Sequence, residues 1–314
     1  MSVSESELLD DLRPRAFAIA YRMLGSVSEA EDIVQEALLR VHTATEEGEE
    51  ISSPRAYVAT IVTRLAIDEL RSARARRETY VGEWLPEPVA EAPADDPAQH
   101  AELADSLSLA FLVVLESLTP EQRASFLLHD VFDYDYAKVA EIVGTSEQNA
   151  RQLASRARRQ VQEGTPRFDP SDEQREQLAS SFFAAAEEGD FESLESLLAE
   201  DVALHGDGGG MAPAIKHPVF GRAKVAQMLR NWFSLMGRIE GLRLRRVVVN
   251  GQPGAEYLDP EGKVLGVIGL DIADGKIQAM RSIVNPEKLG HLGQVADAKA
   301  LLAQLSQRPA GRPR

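Results

Sequence analysis

The chain has 314 residues, of which 44% are hydrophobic and 27% are charged, so wholesale disorder is excluded and two or three domains are expected. The absence of cysteine excludes disulfides, thiolate metal sites and thiol nucleophiles, and it fits a reducing cytoplasm. Because the acidic N-terminus lacks an apolar signal core and no apolar run approaches about 20 residues, we expect a soluble cytoplasmic protein without membrane contact.

The formal net charge of −16 is distributed unevenly along the chain. Residues 51–77 hold six arginines and two acids, and residues 138–161 hold five bases and two acids. Between these two basic islands, residues 78–105 hold eight acids and no lysine or arginine. A protein that only coats nucleic acid would be basic throughout. The pattern therefore indicates two short basic elements in an acidic chain that acts with a partner.

Residues 7–78 have the apolar periodicity of α-helices. In "AEDIVQEALLRVHTA" one face is predicted to carry Ile33, Val34, Ala37, Leu38 and Val41, and Ser28 is predicted to cap this helix. Another helix is predicted to begin at Pro54, with Ser53 as its N-cap. These patterns predict an all-α domain.

The next segment, residues 79–105, combines four prolines with seven acids. This composition is typical of an extended, flexible linker. Its only bulky apolar pair is Trp84 and Leu85, which lie directly before Pro86 in "WLPEP". Such a pair directly before two closely spaced prolines offers a stiff apolar contact at little entropic cost.

Helical periodicity returns over residues 106–163, with a break at Thr119-Pro120. A short helix is predicted from Tyr136 to Val143, a turn at Gly144, and a longer helix from Ser146 to Val161. This order is the geometry of a helix-turn-helix.

Residues 172–293 have a different character: two helices are followed by strands that are separated by the turn signals "NG", "EG" and "DG". Helices followed by a curled antiparallel sheet predict an α+β domain. Residues 294–314 form a tail that begins with a short helical stretch. The predicted fold is therefore multidomain, with two all-α domains and one α+β domain.

The second basic island carries side chains that suit DNA. The start of the last helix holds residue types that reach base edges, and its later arginines suit phosphates. The structural alternative is a solvent-exposed helix whose C-terminal arginines interact favourably with the helix dipole. The candidate DNA-binding residues here are Ser146, Gln148, Asn149, Arg151, Gln152, Arg156, Arg158 and Arg159.

The first basic island lies at the end of the helix that begins at Pro54. Its candidate DNA-binding residues are Arg64, Arg71, Arg74, Arg76 and Arg77. Single-stranded DNA also needs aromatic platforms, for which Tyr57 and Tyr80 are available. The alternative is again a charged helix end that is favoured by the dipole.

Two stretches, "AYRMLGSVSEAEDIVQEALLRVH" and "SPRAYVATIVTRLAIDELRSARAR", resemble region 2 of sigma-70-type factors of the extracytoplasmic-function group. "ESLTPEQRASFLLHDVFDYDYAKVAEIVGTSEQNARQLASRARRQV" is similar to region 4 of the same family. The resemblance implies that region 2 binds core RNA polymerase and melts the −10 promoter element, whereas region 4 reads the −35 element. It also places polymerase contacts in the "DIVQEA" motif, at Asp32, Gln35, Glu36 and the neighbouring Leu39. Many family members have Arg-Asn where this chain has Thr63-Arg64, so −10 preferences cannot be copied across.

The stretch "SSFFAAAEEGDFESLESLLAEDVALHGDGGG" resembles the opening of SnoaL-like domains, which are α+β cones of the nuclear-transport-factor-2 superfamily. Together with "WLPEP", "DGGG" and "NPEKL", it is similar to a sigma subgroup whose fused C-terminal domain regulates the sigma core in cis. We expect the linker to dock near these motifs as a latch; the alternative is that Trp84 packs on region 2. The predicted regulatory contacts are Trp84, Leu85, Pro86, Asp207, Gly208, Gly209, Gly210, Asn285, Pro286, Glu287, Lys288 and Leu289.

Two rival functions stay open from the sequence. The C-terminal domain could be a cyclase or isomerase that uses His205 and Asp207 as an acid–base pair, although a polar rim is the more ordinary interpretation. The chain could also be a ligand-responsive activator that binds DNA without polymerase. No catalytic triad, phosphate loop or metal-spaced cluster is present, so we predict a sigma factor that is not an enzyme and needs no cofactor or metal. A small ligand in the cone is left open.

Overall fold

The computed structural model describes residues 3–77, 79–91, 107–164 and 172–307. Two units make up the chain: Met1–Thr79 with Phe111–Thr165, and Tyr80–Ala110 with Pro166–Arg314. No described helix has the length and apolar character that a membrane span requires.

The first unit begins with α1 (Val3–Leu24), α2 (Val27–Glu46) and α3 (Pro54–Arg77). Gly25, with φ of 67°, ends α1 and lets the chain enter α2 at once. The prediction that Ser28 caps α2 is wrong. Ser26 is the N-cap, because its hydroxyl accepts from the Glu29 amide at 3.2 Å, while Ser28 lies inside the first turn.

The apolar face predicted for α2 is buried, with Leu38 covered only in part. Ser53 caps α3 as predicted, since its hydroxyl accepts from the Ala56 amide at 3.4 Å and Pro54 opens the helix.

The remaining helices of this unit are α4 (Leu109–Leu115, which begins in the second unit), α5 (Pro120–Phe126), α6 (Tyr136–Val143) and α7 (Glu147–Gly164). Thr119 and Gln122 form a capping box at the start of α5, where Pro120 is the first helical residue. Gly144, with φ of 73°, turns the chain from α6 into α7. The predicted helix-turn-helix is therefore present.

The second unit contains α8 (Asp172–Glu188), α9 (Phe191–Ser196), α10 (Arg222–Met236) and α11 (Ala298–Gln307) around one mixed sheet. Its strands are β1 (Ala90–Glu91), β2 (Leu198–Asp207), β3 (Val219–Phe220), β4 (Arg243–Val249), β5 (Gln252–Leu258), β6 (Val264–Ala273) and β7 (Lys276–Ile283). The strand order is β1-β4-β5-β6-β7-β2-β3, and neighbours are antiparallel except β2 and β7.

The three turn signals lie where they were predicted, between β4 and β5, β5 and β6, and β6 and β7. Asn250-Gly251 and Asp274-Gly275 have positive φ at both residues, as tight hairpins require. On one face of the sheet, Phe182, Leu229 and Met280 belong to the main apolar core of this unit.

The other face of the sheet is met by the segment between the helical regions. This segment is extended, as its prolines predict, but the prediction of a flexible linker is wrong for residues 80–91. Strand β1 pairs with the β4 edge, Leu85 is fully buried, and Leu109 lies against Gly269 of β6. The physical reason is that apolar linker residues meet a sheet face that would otherwise be exposed. Residues 92–106 lie outside the described part.

We expect Phe182→Ala to destabilise the second unit by about 3–5 kcal/mol, because it empties a fully buried ring site. Both tryptophans of the chain, Trp84 and Trp232, belong to this unit, so tryptophan fluorescence during denaturant unfolding measures it selectively. Phe220→Ala is the control, because that ring is 60% exposed and its loss should cost about 0.5 kcal/mol or less. Equal losses for both variants would contradict the assigned core.

Candidate functional site

The outward face of α2 carries the residues predicted to bind polymerase. Asp32, Gln35, Glu36 and Leu39 are all exposed, opposite the buried face of the helix. Leu39 is 58% exposed, and Glu36 pairs with Arg40 at 2.8 Å. An acidic helix face with a large apolar side chain is suited to a protein partner rather than to DNA.

The helix α7 presents its N-terminal polar side chains to solvent. Ser146 caps it, because the Ser146 hydroxyl accepts from the Asn149 amide at 3.2 Å. The Asn149 side chain donates to Thr145 at 2.8 Å, and Arg151 pairs with Glu147. The predicted DNA-binding residues that are exposed are Ser146, Gln148, Asn149, Arg151, Gln152, Arg156 and Arg159.

Arg158 differs from the other predicted phosphate ligands of α7. It is half-buried and pairs with Asp130 at 2.7 Å. Its guanidinium also donates to the Tyr136 hydroxyl at 3.4 Å, and both bonds raise the pKa of Arg158. This side chain therefore ties α7 to the preceding elements of the same region.

The first basic island is divided by the structure. Arg64 donates to the carbonyl oxygens of Glu141 and Ile142, at 2.9 and 3.1 Å. Arg71 pairs with Asp68 and, at 2.8 Å, with Glu121. The backbone of α3 reaches Arg77, whereas the side chains of Arg74, Arg76 and Arg77 lie outside the described part.

In the second unit, the fully buried Asp207 carboxylate is the centre of a polar cluster. One oxygen accepts from the Tyr80 hydroxyl at 2.5 Å and from the Gly209 amide at 3.0 Å. The other accepts from the Leu85 amide at 2.8 Å and from the Lys288 ammonium at 2.7 Å. Burial, together with the bond to Asp207, raises the pKa of Tyr80, so its phenol stays protonated and donates.

Lys288 joins the linker to the C-terminal part of the same unit. Besides Asp207 it donates to the Leu85 carbonyl, and its ammonium lies 4.2 Å from the centre of the Trp84 ring. Pro86 and Leu289 are buried, and Glu287 donates its amide to the Asn285 side chain at 3.1 Å. We call Tyr80, Leu85, Asp207, Asn285 and Lys288, together with Trp84, the linker clamp.

The glycines of "DGGG" let the linker clamp close. A Cβ at Gly208 would lie 2.3 Å from the Ala212 carbonyl oxygen, and one at Gly209 would lie 2.3 Å from the Asn285 side chain. Gly209 and Gly210 also have positive φ, 56° and 72°. The motif therefore needs glycine for space at least as much as for flexibility.

His205 and Asp207 lie on one face of β2, as their spacing predicts, but they are engaged with the linker. His205 Nδ1 is 2.8 Å from Glu83 Oε1, while Asp207 lies within the linker clamp. Among the described residues, no cluster of three potential ligands could hold a metal ion.

A cavity of about 90 Å³ lies in the second unit. Its wall includes His205, Trp232, Tyr257 and Ser282. No acid, lysine or arginine is among the residues that line it. Such a cavity suits a small neutral ligand.

Sequence reasoning missed three contacts of the linker. Tyr80 had been a candidate platform for DNA bases, but its hydroxyl binds Asp207 and accepts from Asn285 at 2.9 Å. Glu83 and its partner His205 are 122 positions apart, and no local pattern connects them. The His291 ring, 2.7 Å from the Pro88 carbonyl oxygen, is equally remote in sequence.

Comparison with known proteins matches both helical regions. The family descriptions are "Sigma-70 region 2" for residues 8–76 and "Sigma-70, region 4" for residues 108–161. The ECF RNA polymerase sigma factor SigJ of Mycobacterium tuberculosis is 40% identical over 297 residues, which cover 92% of this chain and 93% of that protein. The probable ECF RNA polymerase sigma factor SigI of the same species is 32% identical over 278 residues, covering 87% and 91%. The crystal structure of SigJ has a TM-score of 0.72 at 38% identity and covers 92% of this chain and 98% of that one.

We expect Asp207→Asn to open the linker clamp, because it leaves the buried Lys288 ammonium without its counter-charge. Amide hydrogen exchange over residues 80–91, and at Leu85 above all, should accelerate by about a hundredfold or more. Asp201→Asn, at an exposed site of the same strand, should leave that exchange unchanged. Unchanged exchange in both variants would mean that Asp207 does not hold the linker.

Proposed function

Since this chain belongs to the ECF group of RNA polymerase sigma factors, we propose that it directs core RNA polymerase to promoters under the control of its own C-terminal domain. The observation that carries the control is the linker clamp, in which Asp207 and Lys288 bind the linker between region 2 and region 4. We expect the protein to act without covalent chemistry, in the cytoplasm where core polymerase works.

We assign the binding roles of residues mainly from the helix faces that are exposed to solvent. Asp32, Gln35, Glu36 and Leu39 would contact polymerase, and the N-terminal side chains of α7 would read the −35 element. Arg64 and Arg71 would bind the DNA backbone near the −10 element. These assignments rest on exposure, charge and position in the family's two regions.

The distance between the two promoter elements indicates how the linker clamp would control promoter binding. By their numbering the elements are about 25 base pairs apart, roughly 85 Å at about 3.4 Å per base pair. A free segment Tyr80–Ala110, of about 30 residues, extends to roughly 100 Å. While it is bound, both its ends belong to a unit of about 180 residues, whose radius of gyration is roughly 16 Å. The linker must therefore leave its site before both elements can be read together.

This control would inhibit transcription. A small ligand bound in the cavity could relieve it through His205. His205 both reaches the cavity and binds Glu83 of the linker, so a neutral ligand that shifts His205 would weaken the hold on the linker. The acid–base chemistry of the rival enzyme is disfavoured, because His205 and Asp207 already bind linker groups.

We expect the triple variant Asp32→Ala, Gln35→Ala, Glu36→Ala to lose more than about a hundredfold of its affinity for core polymerase, because three exposed contacts are removed. Competitive binding against the unaltered chain measures this, and circular dichroism checks that the fold is intact. Glu187→Ala with Glu188→Ala, which removes the same number of exposed acids from the second unit, should bind normally. Retained polymerase binding in the triple variant would overturn the assignment of this face.

We expect Trp84→Ala to raise promoter-specific transcription about two- to tenfold, because it removes the ring that stacks on Lys288. Abortive transcription by core polymerase measures this, on a DNA fragment that the unaltered holoenzyme has selected from a random library. Val81→Ala, in the same linker but 55% exposed, is the control and should leave output unchanged. If Trp84→Ala changed neither output nor polymerase affinity, the proposal of control through the linker would fail.

A further inference from the structure

Region 4 supplies hydrogen-bond acceptors to two arginines of region 2. Arg64 and Arg71 project from α3, the helix that carries the first basic island. Their acceptors are the carbonyl oxygens of Glu141 and Ile142 and the carboxylate of Glu121. Each of these acceptors is an oxygen that carries negative charge or partial negative charge, as phosphate oxygens do.

The contact of Arg64 is explained by the end of a helix. In α6 the last carbonyls have no intrahelical donor, and the helix dipole places partial negative charge there. The Gly144 amide donates to the Ala140 carbonyl, so the carbonyl oxygens of Glu141 and Ile142 still need donors. Arg64 provides both, as a cation at a helix C-terminus does.

The contact of Arg71 is an ion pair. Its guanidinium is 2.8 Å from a Glu121 oxygen, and Glu121 lies in the first turn of α5. Although partial burial raises it, the bond from Arg71 leaves the pKa of the Glu121 carboxyl below its ordinary value. The carboxylate therefore remains an anion across the neutral pH range. It can bind the Arg71 guanidinium in the place of a phosphate.

We propose that region 4 masks the DNA-binding arginines of region 2 by presenting Glu121 and the α6 carbonyls in place of DNA phosphates. The proposal rests on the assignment of Arg64 and Arg71 to DNA made above. Promoter DNA and region 4 then compete for the same guanidinium groups. Region 2 cannot use both arginines on DNA until region 4 moves away.

Other contacts hold the two regions in this arrangement without using the first basic island. The fully buried Arg123 of α5 donates to the Met23 carbonyl at 2.6 Å and pairs with Glu116. Arg15 of α1 donates to the Phe132 carbonyl at 3.1 Å. These bonds keep Glu121 near Arg71 even though an exposed ion pair is weak by itself. The mask is thus built on a packed interface and is not a chance surface contact.

The first test compares two charge reversals in the full chain without polymerase. Glu121→Lys removes the carboxylate that takes the place of a DNA phosphate. Glu176→Lys makes the same charge change at an exposed glutamate that pairs with a different arginine, Arg246. The probe is a labelled single strand of twenty thymidines, and anisotropy measures its binding. We expect Glu121→Lys to bind about two- to fivefold more tightly than Glu176→Lys. Equal affinities would overturn the proposal.

A second comparison isolates the arginine. In an Arg71→Ala background, Glu121→Lys should gain no more affinity than Glu176→Lys, because no masked guanidinium remains at that position. A persistent extra gain would mean that the added lysine itself binds DNA, and the proposal would fall. Neither comparison involves polymerase, so their outcome is independent of the polymerase-binding test.

Distance measurement tests the movement directly. The chain has no cysteine, so Glu46→Cys and Glu163→Cys give two specific positions for spin labels, one in each region and both exposed. We expect one short distance in the free chain, and a longer population when the thymidine strand is added or Glu121→Lys is introduced. If saturating DNA leaves the short distance unchanged, region 4 does not mask the arginines.

Discussion

The interaction on which the C-terminal unit depends is the buried carboxylate of Asp207. Its two oxygens accept four hydrogen bonds, and two of the donors, the Tyr80 hydroxyl and the Leu85 amide, come from the linker. A buried carboxylate must be paired to be tolerated, and Lys288 supplies the charge. Removing one partner leaves the other buried polar groups without a hydrogen bond. The linker is therefore held cooperatively rather than by independent contacts.

The sequence predicts elements and faces well but predicts partners poorly. The buried face of α2, the helix-turn-helix and the three hairpin turns follow from local periodicity and from residues that tolerate positive φ. The expected meeting of "WLPEP" with "DGGG" and "NPEKL" came from family resemblance. The bond between Tyr80 and Asp207 joins positions 127 apart, and nothing local announces it. The flexible linker was mispredicted for a related reason, because composition does not reveal a receptive sheet face.

The arginine island that stands out in this acidic chain has two sets of partners. Arg64 and Arg71 fit DNA phosphates by chemistry, and in this structure they meet a carboxylate and two helix-end carbonyls. Sequence charge alone cannot separate these uses, because a guanidinium binds any oxygen anion of suitable geometry. A chain of net charge −16 supplies many internal anions, and placement decides which of them are met.

Promoter binding requires that regions 2 and 4 separate and that the arginines of region 2 are free to bind DNA. The linker clamp concerns the first condition and the masked arginines concern the second. In our proposals the linker clamp would limit how far apart the two regions can move, whereas Glu121 and the α6 carbonyls would limit what region 2 can bind. A binding partner shifts such equilibria only by its difference in affinity between the closed and open states. In our proposal core polymerase binds the outward face of α2, whose predicted contact residues are exposed, so it would bind the closed chain first. Its further contacts with the separated regions would then supply the free energy that opens both.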